Sequence, residues 1–123
     1  MRNTESAEMY LESILVLSQK HGAPRAIDVA HHTGYSKPSV SRAMGLLKKN
    51  GNIIIEENGC ILLTEQGKET AAKILERHRV LSGFLQKLGV DEETASEDAC
   101  RIEHVISDVS FEKLKNFLHA NEE

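Results

Sequence analysis

The segment Cys100-Arg101-Ile102-Glu103-His104 places a thiol, a carboxylate and an imidazole at positions i, i+3 and i+4. On a helix those spacings put the three side chains on one face. Sulfur, oxygen and nitrogen donors gathered that tightly suit a borderline divalent transition metal. Further candidate donors lie upstream. Met9 and Glu12 share a face of a first helix, distinct from its Tyr10/Ile14/Leu17 stripe. His78 falls between Leu75 and Leu81 on an otherwise apolar helix face. Taken singly, each donor has an ordinary structural reading: a satisfied core histidine, a small buried thiol, a core methionine, a solvated glutamate. The Cys-x-x-Glu-His spacing sets the triad apart.

A second constellation lies at residues 36–49, SKPSVSRAMGLLKK. Ser36, Ser39 and Ser41 are short hydroxyls that can bond phosphate or base edges, and Lys37 and Arg42 bring positive charge. Val40, Met44 and Leu47 supply an inward face at i, i+4 and i+7. Nothing acidic lies between Asp28 and Glu56. The net charge of −4 argues weakly against nucleic acid, but its distribution argues the other way. Residues 1–63 carry a small positive excess and residues 64–123 carry the negative one. A local basic surface, not total charge, meets phosphate. The candidate DNA contacts are Arg25, Ser36, Lys37, Pro38, Ser39, Ser41 and Arg42.

The elements that must position these residues follow from periodicity and punctuation. Residues 5–20 read as a helix capped by Ser6 and ended by His21-Gly22-Ala23-Pro24. Residues 26–32 form a short helix, Thr33-Gly34-Tyr35 a tight turn, and Ser36 caps a third helix reaching about Asn50. Residues 52–55 and 60–63 read as strands around an Asn58-Gly59 hairpin signal. Thr64 caps a fourth helix running to about Leu88. A fifth starts at Asp91 or Thr94 and continues through Ile106, and a sixth runs from Ser110 to about Ala120. The order of helix, short helix, turn, helix and hairpin is that of a winged helix-turn-helix. The expected fold is mainly α: a winged helix-turn-helix over residues 1–72, then a helical metal-binding and dimerisation domain over 73–123. Glu56 and Glu57 on the wing are poorly suited to phosphate, so the wing should contribute little.

Composition narrows the class. With three Phe, two Tyr and no Trp, so small a chain is expected to bury part of its core across a homodimer interface. No run of 18 apolar residues offers a membrane span, and Glu5, Glu8 and Glu12 are wrong for a signal peptide. Cys60 and Cys100 do not make a disulfide framework. A cytoplasmic protein is expected.

Over nearly its whole length the chain resembles the diphtheria-toxin-repressor family of iron- and manganese-dependent transcriptional regulators. The resemblance rests on Glu8-Met9-Tyr10-Leu11, Ser36-x-Pro38-Ser39-Val40-Ser41, Leu63-Thr64-x-x-Gly67 and Arg77-His78-Arg79. Its most specific part is Asp98-Ala99-Cys100-Arg101-x-Glu103-His104-Val105-x-Ser107-Asp108. The resemblance implies dimerisation and metal-gated binding of double-stranded operator DNA. It implies that Met9, Cys100, Glu103 and His104 fall on ligand positions of the iron branch's regulatory site. Glu12 and His78 are shared with the manganese branch, which places Asp at Met9 and Glu at Cys100. A second ion on Glu12, His78 and Glu103 is a further possibility. The iron branch's ancillary site uses His, Glu and His; here His78 is kept and Ser82 and Ser96 stand at the other two positions. The short architecture, without a C-terminal SH3-like domain, resembles the manganese branch. Thiolate and thioether favour Fe²⁺, Co²⁺, Ni²⁺ or Zn²⁺ over the harder Mn²⁺. Cellular availability points to Fe²⁺, with the other ions, Mn²⁺ included, as alternatives.

The expected function is therefore metal-activated repression of metal-uptake or homeostasis genes, without enzymatic activity. Two other readings are open. Cys, Glu and His could hold Zn²⁺ in a small metal-dependent hydrolase, though no glycine-rich loop or separate acid/base pair is evident. A DNA binder with a vestigial metal site could instead sense redox through Cys100.

Overall fold

A computed structural model describes residues 2–120. The elements are α1 (Arg2–His21), α2 (Ala26–Thr33), α3 (Lys37–Lys49), β1 (Ile53–Ile55), β2 (Ile61–Leu63), α4 (Glu65–Lys87), α5 (Glu92–Ile102) and α6 (Asp108–Ala120). Contacts divide the chain into Met1–Lys73 and Ile74–Glu123, so the division falls inside α4.

The first unit is built on the apolar stripe of α1. Tyr10, Leu11 and Ile14 pack with Val29, Ala30, Val40, Met44, Leu47, Ile53, Ile61 and Ala71 in one buried cluster. Ser6 does not cap α1, because the helix begins at Arg2 and Ser6 lies inside it. Gly34 adopts a left-handed φ of 80° and its N–H closes α2 on the Ala30 carbonyl, 2.8 Å away. Ser36 caps α3: its oxygen accepts from the Ser39 N–H at 3.3 Å, and Pro38 sits in the first turn.

The strands pair antiparallel, Ile53 with Leu63, Ile54 with Leu62 and Ile55 with Ile61. Ile53 and Ile61 face the core while Ile54 and Leu62 face out, the alternation a pleated strand imposes. The Asn-Gly hairpin forms, but not as a two-residue turn. The Glu56 carbonyl accepts from Gly59 N–H at 2.8 Å, and Gly59 alone takes the positive φ, 91°. That is a three-residue loop ending in a left-handed glycine.

After the wing, Thr64 Oγ1 accepts from the Gly67 N–H at 3.1 Å and donates to the Gly51 carbonyl at 2.7 Å. Thr64 thus caps α4 and ties it to the turn after α3. Gly67 is buried against that turn; a Cβ there would collide with the Asn52 carbonyl oxygen. The Leu63-Thr64-x-x-Gly67 motif is therefore a close backbone approach written into sequence.

The second unit buries Ile74, Leu75 and Leu81 of α4, Ala95 and Ala99 of α5, and Phe111 and Leu118 of α6. Asp91, rather than Thr94, caps α5, its carboxylate accepting from Thr94 N–H at 3.0 Å. That bond holds the Asp91 carboxyl below its ordinary range. Two expected boundaries shift. The fifth helix stops at Ile102 instead of Ile106, and the sixth begins at Asp108 instead of Ser110. The buried guanidinium of Arg77 explains the first. It donates to the carbonyls of Glu103 at 3.2 Å and Ile106 at 2.8 Å, replacing helix bonds with side-chain ones. Ser107 explains the second, since its hydroxyl accepts from Ser110 N–H at 3.1 Å and caps α6 earlier.

Candidate metal centre and nucleic-acid interface

In the second unit, His78, Glu103 and His104 come together. Glu103 caps the end of α5, and its side chain is 0% exposed. His78 Nδ1, from α4, lies 2.9 Å from Glu103 Oε1. His104 Nε2, one residue past the cap, stands 3.3 Å from Glu103 Oε2. Yet Oε2 is buried and accepts no hydrogen bond among the described residues. A buried carboxylate with an unsatisfied oxygen is costly unless positive charge is brought to it. Two imidazoles with nitrogens toward that carboxylate make a donor set that fits a divalent cation.

Cys100 is exposed on α5. It lines an open cavity of about 740 Å³ with His78, Ser96, Glu92, Glu93, Glu97 and Arg101. The thiol and the His78 imidazole therefore face one space. The two serines at the ancillary positions have polar partners of their own. Ser96 Oγ lies 3.4 Å from His78 Nε2, and Ser82 Oγ accepts from Gln86 Nε2 at 3.2 Å. Met9 and Glu12 are placed one turn apart on α1, in the first unit. Met9 packs against the first core, and Ser13 Oγ, which donates to the Met9 carbonyl at 3.0 Å, lies 3.8 Å from its sulfur.

Arg77 is the residue that spacing alone did not single out as functional. It is 6% exposed. Besides the two carbonyls it pairs with Asp108 and sits 5.4 Å over the Phe111 ring. The turn it holds carries Glu103 and His104. Its sequence signal was the Arg77-His78-Arg79 motif, where the arginine before the candidate donor His78 reads as a surface charge until its burial is known.

The candidate nucleic-acid face lies in the first unit. On α3 the buried residues Val40, Met44 and Leu47 mark the inner side. Pro38, Arg42 and Gly45 fall roughly 140–200° around the helix from Val40, on the opposite side. Ser36, Lys37, Pro38, Ser41 and Arg42 are exposed and Ser39 is half-buried. Ser36 Oγ donates to Ser39 Oγ at 2.9 Å, so those two hydroxyls also serve the cap. Gly45, which sequence reasoning passed over, has open space where a Cβ would stand, and it keeps this face low. Burial raises the Tyr10 phenol pKa, with Tyr35 adding to the rise and Arg42 opposing it. Tyr35 packs edge-on against Tyr10, ring centroids 6.0 Å apart.

Arg25 does more than lie near a groove. Its guanidinium donates to the Asn58 carbonyl at the wing and lies against Gly59. Its backbone N–H donates to Asp28 Oδ2 at 2.9 Å, closing the front of α2. It therefore ties the wing to α2 while keeping an exposed cation beside the Glu56/Glu57 tip.

If the outer face of α3 reads the major groove, Arg42→Ala should weaken specific binding. The loss should be about 1–3 kcal/mol for a bidentate base contact, with preference relaxed at one position. A phosphate contact instead predicts uniform weakening and a salt slope smaller by about one. Operator titrations over a salt series separate the two, and parental binding by Arg42→Ala would show that another surface reads DNA.

Among the described residues no helix is long and apolar enough to cross a membrane.

Two family models match the chain, one ending at residue 60 and the other starting at residue 64. Residues 3–60 match the family model described as the iron dependent repressor N-terminal DNA binding domain. Residues 64–123 match the iron dependent repressor metal binding and dimerisation domain. The chain is 37% identical over 117 residues to an uncharacterised HTH-type transcriptional regulator of Methanocaldococcus jannaschii, covering 94% of each. It is 32% identical to the HTH-type transcriptional regulator MntR of Bacillus subtilis, covering 98% of this chain and 84% of that one. Among solved structures, that of the manganese regulator SloR superposes with a TM-score of 0.83 at 29% identity. The match covers 92% of this chain and 53% of that one, so this chain spans about half of that structure's length.

Proposed function

The chain belongs to the iron-dependent-repressor family of metal-dependent transcriptional regulators, and we propose that it binds operator DNA as an Fe²⁺-activated homodimer controlling metal-uptake or homeostasis genes. The observation that carries this reading is Glu103, a fully buried carboxylate between two imidazoles with one oxygen unsatisfied. Glu103, His104, His78 and Cys100 would hold the ion, with Met9 and Glu12 of α1 completing the set. Support for those last two is the resemblance over Glu8-Met9-Tyr10-Leu11 and their donor chemistry. The bound ion would supply the positive charge that Glu103 lacks.

Everything else in the proposal is done by the chain's own residues. Arg77 holds the Glu103–Ile106 turn in place. Pro38, Ser41 and Arg42 present the reading face. Val105, Val109 and Phe117 leave large apolar surface exposed in the second unit, which supports a homodimer. A dimer places two recognition helices on half-sites about 34–36 Å apart, a spacing that metal selects from a pre-existing equilibrium.

The test is an anaerobic operator titration of chelator-stripped and Fe²⁺-loaded protein at one salt concentration. Loaded protein should bind about 5–150-fold more tightly, the range of ordinary coupling energies. Equal binding would remove metal gating.

Manganese is the second reading, favoured by identity to the MntR regulators and by the SloR superposition. Donor softness separates the two. Cys100→Glu combined with Met9→Asp should shift the ratio of Mn²⁺ to Fe²⁺ activation constants toward Mn²⁺ by about tenfold or more. An unchanged ratio would remove both residues from the ligand set.

A further inference from the structure

We propose that Tyr35 is a DNA contact, its phenol hydroxyl donating to a backbone phosphate at the front of the reading helix. The inference rests on the DNA-binding reading above and adds to it a neutral donor that lies ahead of α3.

The placement of the ring carries the argument. Tyr35 is the residue before Ser36, the cap of α3. It is 52% exposed, yet it is held at two points. Its backbone N–H donates to Thr33 Oγ1 at 3.3 Å, and that hydroxyl donates in turn to the Val29 carbonyl of α2 at 2.9 Å. Its ring meets Tyr10 edge-on, with centroids 6.0 Å apart and planes at 66°. Tyr10 is itself buried in the first core. Both tyrosines of the chain are thus spent on one contact at the edge of the reading face. An aromatic side chain fixed by packing and by a turn has little freedom left to lose on binding.

The surroundings point to phosphate. Ser36, Lys37 and Pro38, which follow Tyr35, are exposed, and nothing acidic occurs between Asp28 and Glu56. The Tyr10 phenol feels both the Tyr35 phenol and the Arg42 guanidinium, so the three groups are electrostatic neighbours. Base edges fall to residues on α3 itself, which enters the groove. A residue ahead of the helix meets the groove's wall, where phosphate oxygens accept from tyrosine hydroxyls.

The test is a double-mutant cycle between protein and DNA. The parent and Tyr35→Phe, both loaded anaerobically with Fe²⁺, are titrated at matched salt onto a duplex selected from a random pool by the loaded parent. The duplex is about 30 base pairs long, room for two half-sites one helical turn apart. Phenylalanine keeps the ring against Tyr10 and removes only the hydroxyl. Affinity should fall about 3–10-fold for each reading helix engaged. The salt slope should not change, because a neutral donor releases no counterion, whereas loss of Lys37 or Arg42 from a phosphate would lower it by about one. Methylphosphonate is then placed at one phosphate at a time. One position in each half-site should weaken the parent and bring it level with Tyr35→Phe. Each protein is compared with itself on two duplexes, so a folding defect in the variant cancels. Equal affinity of Tyr35→Phe and parent, a lowered slope, or no methylphosphonate position that removes the difference overturns the contact and leaves DNA binding standing. A parent that retains no duplex from the pool overturns the DNA-binding reading and this contact with it.

Discussion

Glu103→Gln should abolish the metal response while leaving the unloaded protein as stable as the parent or more so. The two halves of that expectation have one cause. The Glu103 carboxylate is fully buried, and one of its oxygens accepts no hydrogen bond among the described residues. Replacing a poorly satisfied buried charge with a neutral group of the same shape is often neutral or stabilising. An amide keeps an oxygen that His78 can meet, so the local packing survives. What it loses is the negative charge that the proposed cation site requires. Metal affinity should fall by about 100-fold or more, beyond the 10–100-fold typical of residues that only support a ligand. Differential scanning calorimetry reads both effects. At an ion concentration about 100 times the parental Kd, the parent should gain about 2.7 kcal/mol. Glu103→Gln should gain almost nothing, and its operator binding should match that of chelated parent. A metal-induced rise equal to the parent's would show that Glu103 holds no metal.

The donor spacing stood out in the sequence, and the geometry around it did not. Cys-x-x-Glu-His was legible because a donor-rich spacing stands out from ordinary helix faces. Its expected setting, a helix running through Ile106, was not what formed. The helix stops at Ile102, and Glu103 and His104 sit at its cap and in the turn beyond. Periodicity could not show this, because the cause is remote: Arg77 lies on another helix and takes two carbonyls of the turn. Local signals fared better where the partners were also local. Ser36 caps α3 and Gly34 ends α2 as their chemistry dictates. Ser6 failed as a cap because nothing before it stopped the helix, so the start lies at Arg2. Arg25 was readable as a surface cation; its grip on the wing was not, since Asn58 is 33 residues away.

That remoteness makes Arg77 the most informative remaining residue. Arg77→Leu should destabilise the second unit by about 3 kcal/mol, because the buried carbonyl of Glu103 and the half-buried carbonyl of Ile106 lose a charged donor. The Asp108 pair adds little to that figure: the Asp108 side chain is 72% exposed and well screened. Leucine preserves much of the apolar bulk against Phe111, so the loss isolates hydrogen bonding from packing. Lysine is a partial substitute, having charge but no fork that reaches two carbonyls at once. The functional effect should be separable from the loss of stability. Under conditions where Arg77→Lys remains folded, the Glu103–Ile106 turn is held by one point charge instead of a planar fork. Metal affinity should then fall by about 10–100-fold, as it does when groups that orient ligands are removed. Metal titrations on folded Arg77→Lys decide the matter. Parental affinity would mean that Arg77 stabilises the fold and that His78, Glu103 and His104 keep their positions without it.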